Sequence, residues 1–167
     1  MKHEITFLLN GEKRQVTVTS GMTLLQLLRD HLGVTSPKRS CERGECGACT
    51  VILDGKAVNA CLVLAASVNA RSVDTVESLT VDLAKGRLHP LQKHFVDIMA
   101  SQCGYCTPGM LLAAKALLDA NPDPSPDEVR EGLSGNLCRC TGYVKPVEAV
   151  LAAAREIRES NAPGRVE

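Results

Sequence analysis

Eight cysteines fall into two sets of four with short, unequal gaps, and this pattern limits the possible folds more than any other feature of the chain. The first set is Cys41-x4-Cys46-x2-Cys49, with Cys61 beyond eleven further residues. The second is Cys103-x2-Cys106 with Cys138-x-Cys140. Eight thiols could in principle make four disulfides, but such frameworks serve short secreted chains that lack a core. Here 44% of 167 residues are hydrophobic, enough to build one large or two small cores without staples. The segment Met1 to Phe7 carries Lys2, His3 and Glu4 and no apolar stretch, so the reading is cytoplasmic, with thiols kept reduced and available to metal.

The spacing of the first set matches the loop of plant-type 2Fe–2S ferredoxins. Three thiolates must wrap one side of a flat cluster within one short loop while a fourth arrives from elsewhere. Gly44 and Gly47 let the backbone turn so that N–H groups approach the sulfurs. The second set is less specific, since a zinc ribbon or a redox dithiol also uses Cys-x-x-Cys. Its placement before two expected helices favours an anionic cluster, because helix N-termini present free N–H groups and a positive dipole end. Spacing alone leaves a four-thiolate zinc site open.

Hydrophobic periodicity divides the chain. In the first half Ile5, Phe7 and Leu9 alternate, Asn10-Gly11 follows, and Val16 and Val18 alternate again, which predicts a hairpin with a tight turn. Thr23 and Gln26 form a capping box before an apolar stripe of Leu24, Leu25, Leu27, Leu28 and Leu32, and Gly33 stops it. Thr50–Leu53 and 57–62 flank Asp54-Gly55 as a second hairpin, and Val73 and Val76 suggest a short last strand. The second half reads as four helices: from His89-Pro90 to about Ser101, from Thr107-Pro108 to about Ala120, from Ser125-Pro126 to about Ser134, and from Pro146 to about Ser160. The expectation is an α+β chain, with a break near residues 77–88 where Asp82, Lys85, Gly86 and Arg87 interrupt the pattern. Residues 161–167 read as a frayed tail. Zero net charge, two tyrosines, two phenylalanines and no tryptophan argue against nucleic acid, and no run of about 20 apolar residues provides a membrane span.

Three segments carry a family likeness: CERGECGACTV (Cys41 to Val51), QCGYCTPGM (Gln102 to Met110) and GNLCRCTGY (Gly135 to Tyr143). Together, in order and over nearly the whole chain, they resemble the small iron–sulfur subunit of the molybdenum hydroxylases, the xanthine oxidase family. The resemblance implies an N-terminal β-grasp, ferredoxin-like domain over residues 1–78 and a C-terminal four-helix bundle over 79–167, each holding one 2Fe–2S cluster. It assigns Cys41, Cys46, Cys49 and Cys61 to the cluster distal to molybdenum, and Cys103, Cys106, Cys138 and Cys140 to the proximal one. It also implies that Gln102 and Cys140 contact the molybdopterin of a large partner subunit. FAD, where present, belongs to a medium subunit, in a heterotrimer or a dimer of heterotrimers.

The implied function is electron transfer, from molybdenum through both clusters to a flavin or other acceptor; the alternative is a stand-alone ferredoxin-type carrier. No residue of this chain is expected to be catalytic. The four histidines are expected at the surface or at helix caps. Lys38, Arg39, Glu42, Arg43 and Glu45 form a charged patch at the first loop, read as solvated, with partner docking as the second reading. Tyr105 stands where the family's motif has phenylalanine, a departure with no expected consequence. The face around Met110 and the alanine-rich stretch 147–154 are the expected contacts with the molybdenum partner, exposed when the chain is alone.

Overall fold

The computed structural model describes residues 1–79 and 88–161 of the chain. Strand β1 (Lys2–Leu9) pairs antiparallel with β2 (Glu12–Thr19) along its whole length. Asn10 and Gly11 both have positive φ (52° and 81°), as the tight turn between those strands demands. The second hairpin, β3 (Thr50–Leu53) with β4 (Lys56–Asn59), turns on Asp54 and Gly55 in the same way. Strand β5 (Ser72–Asp74) lies between the hairpins, parallel to β1 and antiparallel to β3, giving one five-stranded sheet in the order β2-β1-β5-β3-β4.

The helix under this sheet begins as the leucine stripe predicts. Thr23 Oγ1 accepts from the Gln26 N–H at 3.2 Å, and Gln26 Oε1 accepts from the Thr23 N–H at 2.9 Å. After one turn, α1 (Leu24–Gln26), it widens into a π turn over Leu27–His31. Leu24, Leu25, Leu27 and Leu28 are buried with Ile5, Phe7, Val18, Val51 and Val73 in a first core.

The second half contains four helices among the described residues: α2 (Pro90–Asp97), α3 (Thr107–Ala120), α4 (Pro126–Leu133) and α5 (Val144–Asn161). They enclose a second core of Leu91, Phe95, Met110, Leu112, Val129, Leu133 and Val150. His89 caps α2, its Nδ1 accepting from the Leu91 N–H, and Ser125 with Glu128 forms the capping box of α4. Three details depart from the sequence reading. Helix α2 stops at Asp97, short of Ser101, because the backbone reverses through Met99 at φ 54°. The cap residue of α3 is Cys106, while Thr107 Oγ1 turns to Ser101 Oγ at 2.9 Å. Helix α5 begins two residues before Pro146, which its first turn accommodates.

Met110 and the alanine-rich stretch are not spare surfaces. Met110, Val147, Ala149, Val150, Ala153 and Ala154 are all buried within this chain, because small side chains let α5 approach α2 closely. Exposed apolar residues lie elsewhere and include Val96 and Met99 at the end of α2, Leu62 and Leu64 after the fourth cysteine, and Leu137 and Val144 on either side of the last two cysteines in sequence. The expected break residues Asp82, Lys85, Gly86 and Arg87, and the tail beyond residue 161, lie outside the described residues. The two cores nevertheless touch, since Ile52 of β3 packs into the second core, against which α3 is built.

Candidate metal centres

The first cysteine loop runs from the end of the α1 segment to β3 and is pinned from several sides. Arg29 Nη1 donates to the carbonyls of Thr35 (2.7 Å) and Pro37 (2.8 Å), and the Lys38 N–H donates to Ala48 O (2.8 Å). Asn59 at the end of β4 donates through Nδ2 to Gly44 O at 2.8 Å. This fixes the strand that leads to Cys61 against the loop that carries Cys41, Cys46 and Cys49. Backbone N–H groups of Arg43 and Cys46 point at the Cys41 sulfur and pull its thiol down to about 6. Burial, with Cys61 beside it, pushes the Cys49 thiol up to about 12.

The second loop pair forms at the start of α3 and before α5. Burial, then the neighbouring Cys138, pushes the Cys106 thiol up to about 12. Cys138 itself is desolvated, yet its thiol lies lower than usual because the Thr141 hydroxyl donates to Sγ at 3.1 Å. Cys103 and Cys140 are exposed and face one another, Sγ to Sγ, at 3.6 Å.

Cys103 and Cys140 stand 3.6 Å apart, Sγ to Sγ, while Cys46 acts on the Cys41 thiol, Cys61 on that of Cys49 and Cys138 on that of Cys106. A 2Fe–2S rhomb asks for this arrangement, one pair of thiolates on each iron. A single tetrahedral ion instead needs its four sulfurs about one point. The dense N–H donation onto Cys41 and the hydroxyl on Cys138 add the donors that an anionic cluster uses. The residues present therefore fit two clusters.

The two cysteine loops meet. The Leu137 N–H, next to Cys138, donates to the carbonyl of Cys46 at 2.9 Å. Asn136, almost fully buried, donates through Nδ2 to Gly47 O (2.9 Å) and to Thr50 Oγ1 (3.1 Å). A Cβ on Gly47 (φ 65°) would lie 2.2 Å from Gly135 O, so only glycine permits this approach.

The comparisons follow this division. Residues 7–75 match the family model described as a 2Fe-2S iron-sulfur cluster binding domain, and 75–151 match that of a [2Fe-2S] binding domain. The nicotine 6-hydroxylase small subunit of Paenarthrobacter nicotinovorans is 51% identical over 95% of this chain and 93% of its own. The nicotinate dehydrogenase small FeS subunit of Eubacterium barkeri is 49% identical over 89% and 93%.

The chain belongs to the iron–sulfur subunits of the molybdenum hydroxylase family.

As such a subunit it transfers electrons within a multi-subunit oxidoreductase that has a large catalytic partner. Among solved structures, quinoline 2-oxidoreductase of Pseudomonas putida 86 superposes with a TM-score of 0.89 at 42% identity, over 96% of this chain and 99% of that one. The likeness thus extends over both halves of this iron–sulfur subunit.

Several residues of the site escaped the sequence reading. Asn136, Thr141 and Tyr143 were legible only as parts of a family motif. Tyr143 Oη accepts from the Cys138 N–H at 2.8 Å and donates to Asn136 O at 3.1 Å, bracing the loop that carries both cysteines. No spacing rule reports such a brace, because its partners are backbone atoms. Tyr105 also has a partner, contrary to expectation: its hydroxyl donates to the carbonyl of Arg39. The charged patch is partly internal to the loop, with Arg39 paired to Asp30 (2.5 Å) and Glu42 (3.2 Å), and Arg43 to Glu45 (2.8 Å).

Proposed function

We propose that Cys41, Cys46, Cys49 and Cys61 hold the 2Fe–2S cluster distal to molybdenum, and that Cys103, Cys106, Cys138 and Cys140 hold the proximal one. The observation that carries this reading is the meeting of Cys103 and Cys140 at 3.6 Å, supported by one 2Fe-2S family model over each set of four cysteines. A 2Fe–2S cluster takes up and releases a single electron when bound. The chain's own residues supply the cage, the donors and the connection. Cys46 O accepts from Leu137 N–H, and Leu137 is bonded to Cys138, so backbone atoms and one hydrogen bond link a ligand of one set to a ligand of the other.

The exposed side of the second set supports the direction. Gln102, Cys103 and Cys140 lie at the surface, whereas Cys49 and Cys61 are buried. This supports Gln102 and Cys140 as the residues that meet the molybdopterin of the large subunit. The exposed Leu137 and Val144 beside them supply apolar surface for that subunit to cover.

The finer architecture belongs to the same proposal. Residues 1–78 form a β-grasp, ferredoxin-like unit, and 79–167 a four-helix bundle; two cores, in contact through Ile52, and two family models meeting at residue 75 support the division. A medium subunit carrying FAD completes a heterotrimer, in the cytoplasm, where thiols stay reduced. No helix among the described residues is long and apolar enough to cross a membrane.

Metal analysis of the purified complex tests the assignment. Eight thiolates at four per cluster predict about four iron atoms and four acid-labile sulfides per chain. Iron near two with zinc making up the balance overturns the two-cluster reading.

A further inference from the structure

Tyr105 sits inside the Cys103–Cys106 hook, half exposed, and its hydroxyl reaches the backbone carbonyl of Arg39, a residue 66 positions earlier and two before Cys41. The Arg39 side chain is itself fixed at two points, by Asp30 at the end of the α1 segment and by Glu42 within the first ligand loop. The tie therefore runs from Cys106 through Tyr105 to the Arg39 backbone and along it, two residues on, to Cys41. It uses none of the atoms of the Asn136 and Leu137 contacts. Those contacts close the gap between the loops on the buried side, and the tyrosine closes it where the loops face solvent.

We infer that Tyr105 is a positioning residue for electron transfer: its hydroxyl fixes the separation and mutual orientation of the two ligand loops. The inference rests on the two sets of cysteines being the cluster ligands. A phenylalanine would fill the same space without a donor, so the tie depends on one oxygen atom. Electronic coupling between two centres falls steeply with their separation, and a hinge between the loops would let that separation vary. Anchors on the buried side alone leave a rocking motion about themselves; an anchor on the opposite side removes it.

The test uses the assembled complex, reduced with dithionite, with Tyr105→Phe and Arg39→Gln compared against the parent. Low-temperature electron paramagnetic resonance reads the magnetic splitting between the two reduced clusters. Amide hydrogen exchange reads opening of residues 38–42 and 103–106. In Tyr105→Phe we expect iron to remain at the parent level, the splitting to change, and exchange in both segments to rise about five-fold, as for loss of one ordinary hydrogen bond. Arg39→Gln keeps the carbonyl acceptor and should leave the splitting as in the parent. An unchanged splitting in Tyr105→Phe at full iron content overturns the inference, even if exchange rises, since the hydroxyl would then stabilise without positioning. An equal change of splitting in Arg39→Gln also overturns it, by moving the role to the guanidinium. If the parent itself carries only one cluster, the ligand assignment fails first and the inference falls with it; the iron content of the parent separates that case from the others.

Discussion

Gly109→Ala should destabilise this chain, although replacing glycine by alanine in a helix ordinarily stabilises by up to about 1 kcal/mol. Gly109 lies in the first turn of α3, and a Cβ there would stand 2.4 Å from Gly47 O and 3.0 Å from Asn136 Nδ2. Both neighbours are held firmly. The Gly47 carbonyl accepts from Thr50 Oγ1 at 2.7 Å and from Asn136 Nδ2 at 2.9 Å. Restoring an ordinary contact requires the carbonyl to retreat by about 1 Å, which stretches those bonds past useful length. Each buried group left without its partner costs roughly 1–3 kcal/mol. Against the helical gain, the net loss is about 2–4 kcal/mol, or a melting temperature lower by roughly 5–15 °C for a chain of this size. Thermal bleaching of the visible cluster absorption in the assembled complex measures it. Gly132→Ala in α4 is the control. Its Cβ would come nearest to Leu117 Cδ2, at 2.9 Å, the tip of a side chain that can rotate away, so its effect should stay within about 1 kcal/mol. If Gly109→Ala melts at or above the parent with full iron content, the contact between the ligand loops is softer than this reasoning requires.

Two further outcomes follow from the ligand sets. Cys46→Ser should perturb the distal cluster, because a harder oxygen ligand replaces a thiolate, while substrate still reduces molybdenum and the proximal cluster; Cys106→Ser should impair the first transfer out of molybdenum. Freeze-quenched paramagnetic resonance tells these apart, and electrons trapped at molybdenum in the Cys46 variant would reverse the assignment of near and far. In the metal-free chain, the Cys41 thiol held down to about 6 is ionised above that pH, whereas Cys49 and Cys106, pushed up to about 12, stay protonated. Iodoacetamide at pH 7 should therefore label Cys41 well ahead of those two, and mass spectrometry showing the opposite order would refute the local geometry.

Much of the fold was legible because its signals are local. Asn10-Gly11 and Asp54-Gly55 specify their turns through the φ angles that each residue tolerates. Thr23 with Gln26 and Ser125 with Glu128 mark helix starts through hydrogen bonds three residues apart. The two sets of cysteines proposed as ligands stand out because metal-loop spacing is a short-range constraint. The errors arose where tertiary contacts decide. Thr107 gave up its expected cap for Ser101, and Met99 ended α2 early through a backbone reversal that its residue type does not announce. Met110 and the alanines of α5 looked like spare surface because composition records apolarity and not which neighbour covers it. The union of the ligand loops by Asn136 lay furthest from view, since the partners are 89 residues apart and one of them is a carbonyl.

That long separation bears on how the protein is made. Chains fold as they emerge, N-terminal part first. The loop with Cys41, Cys46 and Cys49 leaves the ribosome while the residue that locks it, Asn136, has yet to be translated. A nascent or truncated first half can form its sheet and bury its leucines, but it lacks the bonds that hold Gly47 and Cys46 in place. The finished cage at the first site is therefore a product of the whole polypeptide, and iron delivered before synthesis ends meets an N-terminal site that is still unlatched.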